Sequence, residues 1–202
     1  MLDQLATKAG LIGYNPAMSN FFTRKGDDGT TGFLGKGRIS KSDVRIEALG
    51  SLDEASAALG IVRAAENDLK ITEMIKDIQR DLYKIMAEVA ATEENQEVFR
   101  NLAEDRIAWL ETQVEYFSSR TEIPREFILP GETPAAAAVS FARTVVRRAE
   151  RRLVELNSTS GNVNPLILQY LNRLSSLCFV VELFETSQGG KKPTFSKGDS
   201  AP

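Results

Sequence analysis

The sequence predicts an all-α fold, an antiparallel five-helix bundle. Three observations carry that reading. Apolar residues recur every three or four positions through five segments, the spacing that gathers them on one face of a helix. The segments are joined by short connections, and no run of residues reads convincingly as a set of strands. Proline stands at the first helical position after a capping residue in two places, Thr133-Pro134 and Asn164-Pro165.

The first helix is predicted from Val44 to Asn67, with Leu49, Leu52, Ala55, Leu59 and Val62 on its apolar face and Ser42 or Asp43 as its cap. In the second, Leu69 to Ala91, the residues Ile71, Ile75, Ile78, Leu82, Ile85 and Val89 alternate spacings of four and three, a heptad-like seam. A shorter third helix runs from Glu104 to about Phe117 and turns Ile107, Leu110 and Val114 inward. Between Arg120 and Glu132 the pattern breaks. Pro124 and Pro130 bracket Phe127-Ile128-Leu129, and each proline disfavours helix in the residue before it, so an extended loop is expected. Thr133 then caps a helix that an alanine run carries to about Asn157, with Val139, Ala142, Val146, Ala149, Leu153 and Leu156 as its seam. The last helix opens at Asn164-Pro165 and points Leu168, Leu171, Leu174 and Cys178 at the core as far as about Thr186.

At 202 residues the chain is long enough for one substantial core and short for two. Residues 1–20 form an N-terminal segment with no assigned element, and 21–186 form the helical-bundle domain, which opens on a glycine-rich stretch over 21–41. Residues 187–202 mix Gly, Lys, Pro and Ser without periodicity and are expected to be a disordered tail. No apolar stretch reaches the ~20 residues of a membrane span and the N-terminus lacks a signal-peptide pattern, so a cytoplasmic protein is expected. The lone Cys178 sits in an apolar run, where a buried inert thiol is expected and no intrachain disulfide can form. Histidine is absent, which removes the commonest general base and metal ligand, and no metal-binding residue is assigned. The net charge of −3 gives no general attraction to nucleic acid.

Two stretches carry more chemistry than a bundle requires. From Phe22 to Arg38 glycines stand at 26, 29, 32, 35 and 37, among cations and hydroxyls. Glycine lets backbone N–H groups approach an anion closely, and polyphosphate is the natural ligand, although the same composition suits a flexible surface loop. The stretch is neither a Walker motif nor a dinucleotide fingerprint. On the fourth helix, Arg143, Arg147 and Glu150 each follow a seam residue by one position, and Arg148, Arg151 and Arg152 lie beside them. Such a run is either a solvated basic face or a half-buried stripe that needs anions from a ligand or a neighbouring subunit. Asp53-Glu54 after Leu52, and Phe127 between prolines, have bland readings too: an exposed acidic pair and a plug over the bundle end.

Three blocks, TRKGDDGTTGFLGKGRISKSDVRIEALGSLDE, FILPGETPAAAAVSFARTVVRRAERR and NPLILQYLNRLSSLCFVV, in this order and spacing, resemble the PduO-type ATP:cob(I)alamin adenosyltransferases over about Phe22 to Val181. The resemblance implies a bundle of the ferritin-like, four-helix-bundle-related kind that assembles as a homotrimer with active sites between subunits. It implies ATP contacts from Thr23, Arg24, Lys25, Gly26, Thr31 and Lys41, with Arg147, Arg148, Glu150, Arg151 and Asn172 completing the nucleotide site. Phe127 matches the aromatic pressed against the lower face of the corrin, and Asp53 and Arg143 match a pair that bridges subunits beside it. Glu132, where a second glycine is common, and Ser176, where an aspartate is common, depart from the pattern.

The implied reaction transfers the adenosyl group of ATP, with Mg²⁺, to the cobalt of reduced cobalamin. Co(I) is itself the nucleophile, so no protein base is required, in keeping with a chain without histidine. The resemblance further implies a flavin-dependent reductase and an adenosylcobalamin-dependent enzyme as partners, and neither nucleic acid nor membrane. A noncatalytic nucleotide-binding or cobalamin-escort protein on the same bundle is the alternative.

Overall fold

The computed structural model describes residues 24–198. Thr23 and residues 1–20 lie outside the described residues, as do 199–202. The described residues open on a short antiparallel hairpin, β1 (Thr30–Gly32) and β2 (Arg38–Ser40), and continue with α1 (Val44–Ala65), α2 (Leu69–Ala90), the single turn α3 (Gln96–Phe99) and α4 (Glu104–Ser118). After β3 (Ile128–Leu129) come the two longest helices, α5 (Pro134–Ser160) and α6 (Pro165–Gln188), and then β4 (Thr194–Phe195). The five-helix expectation is met by α1, α2, α4, α5 and α6.

Local chemistry accounts for where the helices begin. Asp43, Asp68, Thr133 and Asn164 each accept a hydrogen bond from a backbone N–H of the first turn, and the latter two are followed by proline, whose missing N–H is no loss there. Gly161, at φ +68°, ends α5 in the left-handed conformation that glycine adopts without strain. Helix α1 packs on α5 and α2, α5 on α6, and α6 on α4. Ion pairs from Glu47 to Arg152 and from Glu54 to Arg148 show α1 and α5 running antiparallel, since the first partner advances as the second retreats.

The predicted seams are buried, except that Val114 of α4 is only partly buried, and with two shifts of position. Ala48 is fully buried where Leu49 only packs partly against the core, and Ile167 takes the inner position expected of Leu168. Helix α6 is buried over most of its surface, which explains its composition: its apolar window is long enough to cross a membrane, contrary to the expectation that none exists, yet 61% of that window is buried inside the bundle. The disordered tail expected over 187–202 is corrected over its described residues, 187–198. Helix α6 continues to Gln188, and β4 pairs antiparallel with β3, Ile128 facing Phe195 and Leu129 facing Thr194.

Candidate active site

The glycine-rich stretch is pinned rather than loose. Leu34 N donates to Ala90 O, Thr92 N donates back to Leu34 O, and Asn95 Nδ2 donates to the same carbonyl, so the turn after β1 is stitched to the end of α2. Gly35 is required at that seam: its φ is +155°, and a Cβ there would stand 2.3 Å from Thr92 Oγ1. The Arg45 guanidinium sits over the Phe33 ring and donates to the carbonyls of Val89 and Ala91, a second staple from α1.

Within the loop, Lys41 Nζ donates to Gly26 O at 2.7 Å and draws β2 back onto the loop's start. Arg38 donates to Thr30 Oγ1 at 2.7 Å and to the carbonyls of Lys25 and Thr30, so its head lies at the centre of the loop. The N–H and hydroxyl of Thr30 bind Asp28, and with Arg38 they hold its carboxyl below the usual range. Arg24 takes a positive φ of 59°, Thr31 pairs with Ile39 in the hairpin, and Lys25 is exposed. These residues therefore form one cationic, backbone-rich rim. Thr23 lies outside the described residues.

Helix α5 carries the second rim. Arg147, Arg148 and Arg151 are exposed along it, Arg148 pairing with Glu54 of α1 and Arg151 Nη1 donating to Arg147 O at 3.1 Å. Glu150 accepts from Asn172 Nδ2 of α6 at 3.3 Å, which places two predicted site residues in contact across the α5–α6 interface. The half-buried stripe expected of Arg143, Arg147 and Glu150 is corrected at Arg147, which is exposed in the single chain, while Arg143 and Glu150 on either side of it are half-buried and face Glu182 and Asn172 of α6. The exit of the loop is tied to α5 through the start of α1. Strand β2 enters α1 through the cap Asp43, and one turn later Glu47 pairs with Arg152 at 3.3 Å.

Phe127 and Arg143, far apart in the sequence, line one cleft of about 300 Å³ with Pro124, Pro130, Phe179 and Glu182. Phe127 projects with 86% of its surface exposed, while Glu182 is only 3% exposed. Burial pushes the Glu182 carboxyl above its ordinary range, with Ser140 and Arg143 opposing the shift, and Arg143 Nε stands 3.9 Å from it without a hydrogen bond. The Cys178 thiol one turn away is buried, as expected, and burial pushes it up to about 12. Asp53 is exposed and does not line the cleft.

Three contributors were not assigned from the sequence. Glu54 reads as one of two exposed acids until α5 brings Arg148 to it. Arg38 stands in the quoted loop without a role. Glu182 had a usable signal: it lies four residues after the seam residue Cys178 and so belongs to the core face, where a carboxylate needs a reason.

The family model described as cobalamin adenosyltransferase matches residues 21–185. The chain belongs to the cobalamin adenosyltransferase family. Among its curated adenosyltransferase relatives, the corrinoid adenosyltransferase PduO of Salmonella typhimurium is 40% identical over 167 residues, covering 82% of this chain and 49% of that protein. The chain thus spans about half the length of the PduO relatives from Salmonella typhimurium and Citrobacter freundii. The corrinoid adenosyltransferase of Mycobacterium tuberculosis is 35% identical over 176 residues and matched over 91% of its length. A variant PduO-type ATP:corrinoid adenosyltransferase from Lactobacillus reuteri, solved with cobalamin and ATP, superposes with a TM-score of 0.83 at 27% identity, covering 89% of this chain and all of that one. The cobalamin adenosyltransferase fold is therefore shared almost end to end.

Proposed function

We propose that this chain transfers the 5′-deoxyadenosyl group of ATP to the cobalt of a reduced corrinoid, releasing triphosphate. One juxtaposition carries the reading: Arg143, in the wall of the aromatic cleft, and Arg147, on the cationic rim, are one turn apart on α5, so a site for a flat apolar macrocycle adjoins a site for polyphosphate. The ligands named for the Lactobacillus reuteri structure, cobalamin and ATP, suit those two halves.

In this reading the Co(I) electron pair attacks C5′, the Co–C bond forms, and the C5′–O bond breaks with its pair leaving on triphosphate. No proton moves, so no imidazole is needed. The leaving group gathers negative charge, and Lys41, Arg147, Arg151 and the loop N–H groups supply fixed positive partners. Thr23, Arg24, Lys25, Gly26 and Thr31 shape the phosphate cradle, and Arg148, Glu150 and Asn172 hold the nucleotide's other side. Mg²⁺ fits as the counter-ion of the triphosphate: among the described residues no three acidic or thiol side chains converge to cage a metal, and phosphate oxygens are its usual main ligands. Phe127 presents an apolar face without a donor atom, which keeps an axial ligand from cobalt and eases reduction of Co(II). Exposure of Arg147 and Asp53 in the single chain supports a homotrimer in which a neighbouring subunit covers them, Asp53 meeting Arg143 across the interface. A flavin-dependent reductase upstream, an adenosylcobalamin-dependent enzyme downstream and a cytoplasmic location complete the proposal.

The test is anaerobic incubation with ATP and chemically reduced cobalamin, following adenosylcobalamin by absorbance and triphosphate by ion chromatography. Equal amounts of both are expected. ADP and phosphate in their place would reject the reaction. Calorimetry on Arg147→Ala should show ATP binding weakened at least about tenfold, the loss of one charge-assisted contact; unchanged affinity would remove Arg147 from the site.

A further inference from the structure

We infer that the C-terminal segment Lys191–Gly198 is a releasable latch that positions Phe127, acting through β4 and Ser196. The inference rests on the role given to Phe127 above. With 86% of its surface exposed, the Phe127 ring is placed by its backbone and not by packing. That backbone belongs to the connection between Ser118, where α4 ends, and Pro134, where α5 begins. Pro124 and Pro130 flank the ring and lack N–H groups, so neither can donate a backbone hydrogen bond to fix that stretch.

The C-terminal segment supplies what the loop lacks. Ser196 N donates to the carbonyl of Phe127 itself at 2.9 Å, and Ile128 and Leu129 pair with Phe195 and Thr194. One turn further on, Thr194 N donates to Glu132 Oε1 at 3.2 Å, which gives a role to the glutamate that departs from the family pattern. The segment is anchored to the bundle at its start: Lys191 N donates to Thr186 O, and Gly189 lies so close to Thr133 that a Cβ there would meet its methyl at 2.6 Å. A two-residue ladder on the surface has marginal stability, so it can open for the corrin to enter and re-form to bring the ring to the cobalt. The family match ends at residue 185, so the latch lies outside the matched region.

Two full-fold variants test this against the parent and Phe127→Ala: deletion of residues 191–202, and Ser196→Pro, which removes the donor to Phe127 O and keeps the chain at full length. Hydrogen exchange of the unliganded protein should become about tenfold faster in a peptide covering residues 126–131 and stay unchanged in α2. With ATP and cob(II)alamin, the four-coordinate Co(II) signal in electron paramagnetic resonance should fall several-fold. ATP affinity should stay within about twofold, and adenosylation of chemically reduced Co(I) within about threefold, because neither depends on the ring's placement. Parental exchange in both variants overturns the latch, and so does faster exchange with a parental Co(II) signal. If Phe127→Ala keeps the four-coordinate signal, the role of Phe127 itself fails and the latch falls with it; if only the latch variants keep it, the latch alone is wrong.

Discussion

Single residues set the geometry of the glycine-rich loop. Gly35 stands at φ +155° with its open side against Thr92, so an added methyl meets both a forbidden backbone region and a packed side chain. We expect Gly35→Ala to lose about 1 to 3 kcal/mol of stability, read from the urea midpoint, and to weaken ATP binding as the stitch to α2 loosens. A midpoint equal to that of the parent would show that Thr92 moves aside at no cost. Other residues were legible without the fold. Thr133 announces one helix start and Ser42 or Asp43 another, because a cap is a local bond, made within three positions along the chain; the structure gives the second to Asp43. Glu54 was not legible as a partner of Arg148, because the two are 94 positions apart and only the α1–α5 packing joins them.

Elements are held in register by a few buried polar ties. Tyr170 on α6 donates to Asp81 Oδ2 on α2 at 3.0 Å, and Arg106 on α4 binds the same oxygen through Nε and Nη2 at 2.7 and 2.6 Å. Burial, reinforced by Asp81, pushes the Tyr170 hydroxyl far above its ordinary range, so it stays a donor. Asp81→Ala leaves both partners without an acceptor, and we expect a loss of about 3 to 5 kcal/mol. Tyr170→Phe removes one donor from a carboxylate that Arg106 still satisfies, and should cost about 1 to 2 kcal/mol. Urea unfolding of the two variants checks the ranking: a loss for Tyr170→Phe equal to or larger than that for Asp81→Ala would show that Arg106 does not satisfy the carboxylate alone. Helical period reveals that Asp81 faces inward, three positions after Ile78, but not that a tyrosine and an arginine wait there.

For the whole molecule, the buried acids tilt stability with pH. Burial, with Glu66 and Asp68 nearby, pushes the Glu185 carboxyl from 4.5 to about 7, and burial raises Glu182 and Glu88 as well. A carboxyl raised in the native state binds its proton more tightly folded than unfolded. Its contribution is complete below about 4.5 and is lost as pH rises through about 7. Glu185→Gln should therefore raise the urea midpoint at pH 8 more than at pH 5 and flatten the profile between; a parallel shift at every pH would place the effect elsewhere. The sequence by itself determined the five helices, the starts of α5 and α6 at Thr133 and Asn164, the inner seams and the cation-bearing face of α5, because helical period and capping are written within a few residues of one another. Tertiary structure alone decided that Phe127 and Arg143 share a cleft, that Glu182 lies in its wall, and that β4 returns to hold the loop. A repeat of 3.6 residues fixes which face of a helix is inward, and only the packing of distant segments fixes what that face meets.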